Sequence, residues 1–381
     1  MATRLLSLAL IALLLVACAK EPLLQKESYV FGTRVEVLIY GEEKDKAGAA
    51  AAEVLREFDR LHHAYHAWQP SELTALNEAI AAGRAHEISA ELAALIRDAQ
   101  SVAAKGDYLF DPGIGRLIGL WGFHSDEFKP RLPDAAKLKE LAAAHASIAD
   151  LTVVGNQECP PPGRPKEDTA NDMESRRDEQ SSPPSVGRGM RERSCVTSRN
   201  NSVALDFGGY LKGVALDRAA SILKGRGINN ALINIGGNVM ALGAKGEKPW
   251  RVGIQHPRST APLATLDLKD GEAIGTSGDY QRYFELGGSR YSHLLDPRTG
   301  LPAQGTQAVT VLIAAGPQAG MLSDAASKPL FISGKDWREQ ATRLGIVEAM
   351  RIDAAGIIWV TQALNARLKM EAPDNKIVAV P

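Results

Sequence analysis

The sequence has almost no net charge, because 44 basic side chains stand against 45 acidic ones. A domain that binds nucleic acid usually carries a basic patch and an overall basic balance. The even balance therefore excludes nucleic acid as an expected partner. At 381 residues the chain is long enough to bury one large core or two smaller ones.

The apolar run at the N-terminus, Leu5 to Val16, is too short to span a membrane as a stable helix, but it fits the central region of an export signal. It ends in a Leu-Val-Ala-Cys sequence at Cys18 that resembles a bacterial lipobox, in which the cysteine becomes the lipid-modified first residue. We expect residues 1–18 to be a lipoprotein signal peptide and Cys18 the membrane anchor; the alternative is an ordinary signal peptide. Ala19 favours the outer membrane over the inner one. The expected location is the bacterial cell envelope, facing the periplasm.

Cysteine is scarce: besides Cys18 the chain has only Cys159 and Cys195. An exported protein can pair two such cysteines. Both lie in segment 157–199, which is rich in proline and in charges of both signs and poor in branched apolar residues. This segment cannot bury enough surface to offset its ordering entropy, so we expect a disordered insertion without a structural disulfide. Its flanks, 151–156 and 201–205, resemble the two strands of one hairpin. A mobile docking arm is the alternative role for the insertion.

A regular alternation of strands and helices is also absent, which favours one mixed α/β domain over a parallel βαβ fold. Residues 19–28 are expected to be a tether and residues 29–381 the domain. Helices are predicted at 46–66, 89–106, 137–146, 210–225, 320–332 and 337–344 from apolar spacing, with Ser89 as an N-cap. Strands are predicted at 29–40, 231–235, 250–254, 264–268, 281–286, 309–314, 351–353 and 357–361.

The segment Asp206 to Gly213 joins a strand-like run to a helix through two glycines. Glycines allow a sharp bend and close approach of a ligand to the backbone. A helix N-terminus offers free N–H groups to an anion, and Lys212 adds a positive charge one turn into the helix. The pattern is compatible with a phosphate site or with a structural strand-turn-helix.

Two further segments are dense in glycine, hydroxyl and charged residues, at 275–280 and 291–302. Such density between strands is typical of a loop that lines a ligand site, although a pair of hairpin turns would also explain it. His293 within the second segment is either a hydrogen-bonded structural residue or a catalytic one.

The order of these motifs along the chain resembles one known family. They are Phe31-Gly32-Thr33, Phe110-Asp111-Pro112, Leu120-Trp121-Gly122-Phe123, Leu205 to Gly213, Asn234 to Asn238, Thr276 to Tyr280, His293 to Pro302 and Asp324 to Phe331. This succession resembles the ApbE family, the FAD:protein FMN transferases formerly called thiamine-biosynthesis lipoproteins. The resemblance implies a single α+β domain with a mixed, largely antiparallel sheet and packed helices. It also implies transfer of FMN from FAD to a threonine hydroxyl, with release of AMP and use of Mg²⁺.

The resemblance also implies which residues bind FAD. Those matched to flavin or nucleotide contacts are Phe31, where the family usually has methionine, Trp68, Leu109, Phe110, Asp111, Asp206, Lys212 and Leu295. Apolar and aromatic side chains suit the isoalloxazine ring, carboxylates suit sugar hydroxyls or amino groups, and Lys212 suits the pyrophosphate.

The implied magnesium ligands are the Gly209 carbonyl and, on one helix face, Asp324, Ser327 and residue 328. Here the sequence departs from the family pattern, since Lys328 replaces a threonine and Pro329 follows it inside the helix. An ammonium group cannot ligate a hard cation. Lys328 either swings away and leaves a weakened metal site, pairs with Asp324 and replaces the metal, or marks a site that binds flavin without transfer chemistry. Pro329 is expected to bend the helix.

The expected function is therefore FAD:protein FMN transfer onto a threonine of an exported or membrane redox protein. Asp324 and His293 are candidate bases for the attacking hydroxyl, and Lys328 is a candidate cation for the phosphate oxygens. The alternatives are hydrolysis of FAD to FMN and AMP, and a non-catalytic periplasmic flavin-binding assembly protein.

Overall fold

The computed structural model of the chain describes residues 22–124, 129–155, 159, 193–371 and 376–381. Within these ranges the strands are β1 (Leu23–Val30), β2 (Thr33–Tyr40), β3 (His86–Ser89), β4 (Leu151–Gly155), β5 (Arg193–Ser198), β6 (Ala231–Ile235), β7 (Asn238–Leu242), β8 (Trp250–Gln255), β9 (Pro262–Leu268), β10 (Ala273–Gly278), β11 (Tyr283–Leu286), β12 (Ser289–Ser292), β13 (Leu295–Asp296), β14 (Leu301–Pro302), β15 (Thr306–Ile313), β16 (Glu348–Asp353), β17 (Ile358–Thr361), β18 (Lys369–Met370) and β19 (Ile377–Val380). The α-helices are α1 (Lys44–Ala64), α2 (Glu72–Ala81), α3 (Ala90–Lys105), α4 (Gly115–Trp121), α5 (Ala135–Ala143), α6 (Leu211–Gly225), α7 (Ala319–Ala325), α8 (Ser327–Ile332), α9 (Trp337–Leu344) and α10 (Gln362–Asn365).

One large sheet organises these elements, and among the described residues it has nine strands in the order β1-β2-β6-β7-β10-β15-β16-β17-β19. Neighbouring strands are antiparallel except β17 and β19, which are parallel. Helices α1 and α6 pack on each other, and α6 packs on α7. The predicted α+β domain with a mixed, largely antiparallel sheet is therefore confirmed.

The sheet separates two apolar cores because successive side chains of a strand point to opposite faces. In β2, Val35 and Val37 are buried in the core that α1 and α6 complete, whereas Leu38 and Tyr40 pack against the core on the other face. No helix among the described residues is long and apolar enough to cross a membrane. The expected signal peptide, including Cys18, lies outside the described residues.

Helices α1, α3, α6 and α9 follow their sequence signals closely, whereas α2 and α4 were not predicted. Apolar residues of α1 recur every three to four positions and are buried, from Ala47 to Leu61. Ser89 caps α3 as predicted, since its hydroxyl accepts a hydrogen bond from the Leu92 N–H. The helix expected over 320–332 is interrupted at Ala326, between α7 and α8. Pro329 has no N–H to donate to the Ala325 carbonyl, which explains the break in hydrogen bonding.

The expectation that residues 19–28 form a tether was wrong for residues 23–28, because these residues belong to β1. This strand pairs with β2 along its whole length, from Leu23 opposite Tyr40 to Val30 opposite Thr33. Phe31 and Gly32 form the turn between them, both with positive φ, 57° and 67°. A two-residue turn of this kind matches the twist of the flanking strands, and this turn chemistry is what the sequence interpretation overlooked.

The expectation that segments 151–156 and 201–205 pair as one hairpin was also wrong. β4 pairs with β5, at 193–198, and not with residues 201–205. The latter segment is held elsewhere, because the Leu205 N–H donates to the Asn77 side chain and the Asn77 amide donates to the Leu205 carbonyl. Residues 193–198 of the predicted disordered segment 157–199 are therefore a strand, and residues 157, 158 and 160–192 lie outside the described residues.

The cysteines give a third correction, because Cys159 and Cys195 form a disulfide with their Cα atoms 5.2 Å apart. No structural disulfide was expected, since both residues were assigned to the disordered segment. Cys195 instead lies in β5, where Ser194, Cys195 and Val196 are buried. Because Cys195 is buried on a strand, its sulfur has a defined position in which it can bond to Cys159.

Candidate functional site

A cavity of about 1090 Å³ is lined by residues from Tyr29 to Ile332. The turn β1–β2, the end of α1, the segment after α3, the start of α6, strand β10 and helices α7 and α8 all contribute to its walls. The predicted site residues that line it are Phe31, Trp68, Leu109, Phe110, Asp111, Asp206, Gly209, Lys212, His293, Leu295, Asp324 and Lys328. The fold thus brings together residues that are scattered over some three quarters of the sequence.

Trp68 and Asp206 contact each other directly on the cavity wall. The Trp68 indole N–H donates to an Asp206 carboxylate oxygen at 3.0 Å, and the other oxygen accepts from the Gly208 N–H at 2.7 Å. The Trp68 side chain remains 38% exposed, so its ring presents a surface to a ligand. Burial raises the pKa of Asp206, although these two hydrogen bonds oppose the rise.

Asp111 holds the loop that follows α3. Its Oδ1 accepts hydrogen bonds from the backbone N–H groups of Gly113 and Ile148, both at 2.8 Å. Burial raises the pKa of this carboxyl, and the hydrogen bonds oppose the rise. Leu109 and Phe110, just before it, are almost fully buried yet lie at the cavity. Asp111 therefore fixes the backbone that presents these two apolar side chains.

Phe31 reaches the cavity from a strained position. It is a non-glycine residue with φ of 57°, a conformation that costs on the order of 1 kcal/mol. Its ring lies edge-on to His62 with centroids 5.7 Å apart and packs on Phe58 at 6.1 Å. The hairpin turn thus places an aromatic side chain at the end of α1, on the cavity wall.

Lys212 lies in the first turn of α6 and lines the cavity. It makes no hydrogen bond or ion pair with the residues that the structure describes. Its ammonium group is therefore available to an anion in the cavity. The helix N-terminus itself is partly satisfied by the protein, because the Gly213 N–H donates to Asp324 Oδ2 at 3.0 Å.

Lys328 and Asp324 form an ion pair at the cavity wall. Lys328 Nζ lies 2.6 Å from Asp324 Oδ1 and 2.7 Å from the Asp324 carbonyl oxygen. The Lys328 stem also lies against Gly209, where a Cβ would stand 2.8 Å from Lys328 Cε. The Lys328 side chain therefore contacts both Asp324, through its ammonium, and Gly209, through its stem, and these are two of the residues expected to hold magnesium. Of the three interpretations of Lys328, this geometry contradicts the one in which it swings away.

The charges of this pair are set by burial and by mutual attraction. Burial alone would raise the pKa of Asp324, but the positive charges of Lys328 and Lys212 and the hydrogen bonds from Lys328 and Gly213 outweigh it and hold the pKa low. Burial and the charge of Lys212 lower the pKa of Lys328, while Asp324 opposes this. A low carboxyl pKa together with two bonded oxygens makes Asp324 a weak base.

Ser327, expected to be a metal ligand, does not line the cavity. Its hydroxyl donates to the Asp324 carbonyl oxygen at 2.8 Å and lies 2.7 Å from the Ser277 hydroxyl, in the buried contact between α8 and β10. Helical spacing places Ser327 on the same helix face as Asp324. Its hydroxyl nevertheless bonds to Ser277 on the neighbouring strand β10. Among the described residues, no three His, Cys, Asp or Glu side chains lie close enough together to hold a metal ion.

His293 presents a neutral ring to the cavity. Its Nδ1 lies 3.1 Å from the Arg282 carbonyl oxygen. Burial, followed by the charges of Arg282, Lys212 and Lys328, lowers the pKa of His293 to about 3. A carbonyl oxygen can only accept a hydrogen bond, so Nδ1 carries the proton and Nε2 is the acceptor. The structure therefore fixes the tautomer through the backbone of residue 282.

The segment that carries Leu295 is held by an aromatic cluster. The Trp121 indole N–H donates to the Gly300 carbonyl at 2.7 Å, and the Trp121 ring stacks on Tyr291 with centroids 5.9 Å apart. Asp296 braces the following turn by pairing with Arg298 at 2.7 Å. Trp121 of the Leu-Trp-Gly-Phe motif and Asp296 of the Asp-Pro turn therefore both hold this loop in its conformation.

Several cavity residues escaped the sequence interpretation. His62, His66, Gln281 and Arg282 line the cavity. His66 Nδ1 accepts the backbone N–H groups of Trp68 and Gln69, both at 3.1 Å, and so shapes the turn that carries Trp68. The spacing of His62 and His66, four residues apart at the end of a predicted helix, was the available signal.

Comparison with known proteins identifies relatives over most of the chain. The sequence profile of the ApbE family matches residues 31–350. The chain is similar to a protein of Rhodobacter capsulatus named FAD:protein FMN transferase, with 36% identity over 355 residues that cover 93% of this chain and 60% of the relative. It is also similar to a protein of the same name from Haemophilus influenzae, with 25% identity over 335 residues and 85% of each chain covered.

Solved structures give the same result for the fold. The ApbE protein of Thermotoga maritima superimposes with a TM-score of 0.73 at 27% identity, covering 91% of this chain and 99% of that one. The flavin transferase ApbE from Vibrio cholerae gives a TM-score of 0.70 at 20% identity, with 91% and 99% covered, and at that identity it bears on the fold alone.

Proposed function

The chain belongs to the ApbE family, and from this premise we propose that it transfers the FMN half of FAD onto a threonine hydroxyl of another protein and releases AMP. Its similarity to proteins named FAD:protein FMN transferase supports the proposal. The chain spans 60% of the length of the Rhodobacter capsulatus relative, so the likeness concerns the shared part.

One observation carries the proposal: a single cavity combines aromatic and cationic walls. Phe31, Trp68, Lys212 and Lys328 all line it, and its volume of about 1090 Å³ suits a dinucleotide. The aromatic side chains would hold the isoalloxazine ring. The two ammonium groups would face the pyrophosphate, which carries the negative charge of FAD.

Catalysis in this proposal depends on position and charge, as in phosphoryl transfer generally. The threonine hydroxyl attacks the phosphorus on the FMN side, and AMP leaves. His293 Nε2 accepts the hydroxyl hydrogen and orients the attacking oxygen. Negative charge from a bound pyrophosphate would offset Lys212 and Lys328, two of the charges that lower the pKa of His293, and so make it a better acceptor. Asp324 instead holds Lys328.

Magnesium, which the family resemblance implies, does not fit the residues of this chain as they are arranged. A magnesium site needs several oxygen ligands in near-octahedral geometry. Asp324 is bonded to an ammonium and a backbone N–H, and the Ser327 hydroxyl turns to Ser277. The proposed steps are therefore assigned to the side chains alone.

The test is a flavin-transfer reaction with the full chain, FAD and an acceptor protein that the Rhodobacter relative labels in a parallel reaction. We expect a fluorescent acceptor band, a mass increase equal to FMN, and release of AMP. Free FMN and AMP without labelled acceptor would indicate hydrolysis instead. Bound, intact FAD without either product would indicate a flavin-binding assembly protein.

We also propose that the protein is lipid-anchored through Cys18 in the bacterial cell envelope, facing the periplasm, and that its acceptor is an exported or membrane redox protein. The lipobox-like sequence at residues 15–18 supports this. Growth with a labelled fatty acid should mark the protein, and Cys18→Ser should abolish the mark. Label that persists in Cys18→Ser, or a wild-type protein that takes up none, would contradict the anchor.

A further inference from the structure

We propose that the Lys328 ammonium takes the place of a divalent cation against the pyrophosphate of FAD, so that FAD binding and flavin transfer in this protein do not need magnesium. This inference rests on the proposed function, and it concerns the one position where the sequence departs most clearly from the family pattern. It develops the disagreement between the magnesium site that the resemblance implies and the contacts that the structure contains.

The position of the ammonium is the first argument. Lys328 Nζ is 2.6 Å from Asp324 Oδ1, and the Lys328 stem passes against Gly209. The Gly209 carbonyl and the Asp324 carboxylate are the two expected magnesium ligands that line the cavity. A positive charge that belongs to the chain itself is therefore bonded to one of these ligands, and its stem lies against the residue that carries the other.

Hydrogen-bonding capacity is the second argument. An ammonium group has three N–H donors. Two of them are directed to Asp324, one to its carboxylate and one to its carbonyl oxygen. The third remains for a phosphate oxygen, and the side chain is 12% exposed, on the cavity side. A lysine binds phosphate as a point charge with adjustable donors, which is the role that a cation would have here.

The surrounding charges are the third argument. Lys212 on α6 and Lys328 on α8 both line the cavity, and Asp324 is the counterion of Lys328. The carboxylate holds the ammonium in one place, so little rearrangement is needed when the substrate binds. Such preorganised charge is what stabilises a developing negative charge in a transition state.

The step balances without a metal ion. A bond forms between the threonine oxygen and the phosphorus on the FMN side, while the bond from that phosphorus to the bridging oxygen breaks. The bridging oxygen leaves on AMP with the electron pair, and the ammonium hydrogen bonds stabilise its charge. The threonine proton passes to His293 Nε2 and then to water.

Three variants of the full chain test this. Lys328→Met keeps the length of the stem and removes the charge, Lys328→Thr restores the hydroxyl of the family pattern, and Lys335→Met removes an exposed lysine beyond α8 as a control. Flavin transfer and FAD affinity are measured for each with excess EDTA and with excess magnesium. Thermal unfolding identifies any variant that does not fold.

We expect the wild-type chain and Lys335→Met to transfer flavin equally well with EDTA and with magnesium. Lys328→Met should lose on the order of 100-fold in rate, the usual effect of removing one preorganised charge or donor. Lys328→Thr should become dependent on magnesium for both transfer and FAD binding, and recovery of activity in that variant would show that it is folded. Wild-type transfer that stops in EDTA and returns with magnesium would overturn the inference.

FAD binding separates this inference from the proposed function. If no condition gives labelled acceptor while the Rhodobacter relative labels it, the transfer function fails. The role of Lys328 is then decided by affinity alone. Tight binding in EDTA that Lys328→Met weakens, and that Lys328→Thr makes magnesium-dependent, supports the inference. Binding that is unchanged by both variants, or magnesium-dependent in the wild type, refutes it.

Discussion

The indole N–H of Trp68 donates a hydrogen bond to Asp206 across 138 residues of sequence. The same carboxylate accepts the Gly208 N–H, so one side chain fixes both an aromatic ring and the glycine turn before α6. Since both residues line the cavity, the contact joins the aromatic wall to the segment that carries Lys212. The sequence resemblance assigns each of these residues to FAD separately, whereas in the structure a hydrogen bond joins them.

Replacing Trp68 with phenylalanine keeps an aromatic ring and removes the hydrogen bond to Asp206. We expect FAD to bind about five-fold more weakly, because the hydrogen bond holds the ring in position for the ligand and only part of its contribution, about 1 kcal/mol, affects binding. Trp359→Phe is the matched control, because its indole also donates to an aspartate, Asp353 at 2.9 Å, but it does not line the cavity. Fluorescence titration with FAD measures both. Equal affinities in the two variants would contradict the assignment of Trp68.

Lys212→Gln removes a cation that has no ion-pair partner among the described residues. We expect FAD affinity to fall by about ten-fold or more, because a hydrogen bond to a charged group contributes about 1.5–3 kcal/mol. Wild-type affinity should also weaken with salt, and that dependence should be smaller in the variant. Lys224→Gln, in the last turn of the same helix, should change neither property. Titrations at low and high salt provide the comparison, and a variant with wild-type affinity would remove Lys212 from the site.

Gly213 permits the close packing of α6 on α7. A Cβ there would collide with the Gly320 carbonyl and stand 2.7 Å from Asp324 Cβ, so Gly213→Ala should lower the free energy of unfolding by about 1–3 kcal/mol. Gly225→Ala in the same helix meets nothing within 4 Å and should raise it by up to about 1 kcal/mol. Urea denaturation of both variants measures the difference. A gain in stability for Gly213→Ala would contradict this close packing of α6 on α7.

Asp217 accepts the N–H groups of Gly320 and Met321, both at 2.8 Å, and so joins α6 to the start of α7. Burial raises its pKa from 3.8 to about 6, while these two hydrogen bonds oppose the rise. The folded state therefore binds a proton more tightly than the unfolded state does. Relative to a non-titrating variant, this residue's contribution to stability is complete below about pH 4 and is lost as the pH rises through about 6.

Asp217→Asn tests this, because asparagine retains an acceptor oxygen and does not titrate. The unfolding free energy of the wild type minus that of the variant should decrease from about pH 4 to about pH 7 and then become constant. Urea denaturation at a series of pH values gives this difference. A difference that increases with pH would mean that the carboxylate, rather than the acid, is favoured by the fold.

Much of the local structure could be predicted from residues that are close in sequence. Apolar spacing gave α1, the hydroxyl of Ser89 gave the start of α3, and Pro329 predicted a bend in the helix that is interrupted before α8. The turn at Phe31 and Gly32 was missed, because a phenylalanine in a positive-φ turn is uncommon and gives no simple signal. The strand β5 was missed because its polar surroundings hid a short buried stretch around Cys195.

The sequence by itself determined helices such as α1 and α3 and strands such as β2 and β6, and the order of motifs by which the cavity residues were selected. Only the tertiary structure decided how their polar groups are satisfied: Lys328 bonds to Asp324, Ser327 turns to Ser277, and His293 keeps its proton on Nδ1. Helical and strand periods arise from neighbouring residues, so they can be read from sequence. A hydrogen bond depends instead on which donors and acceptors the fold brings within reach, and here those partners come from separate strands and helices.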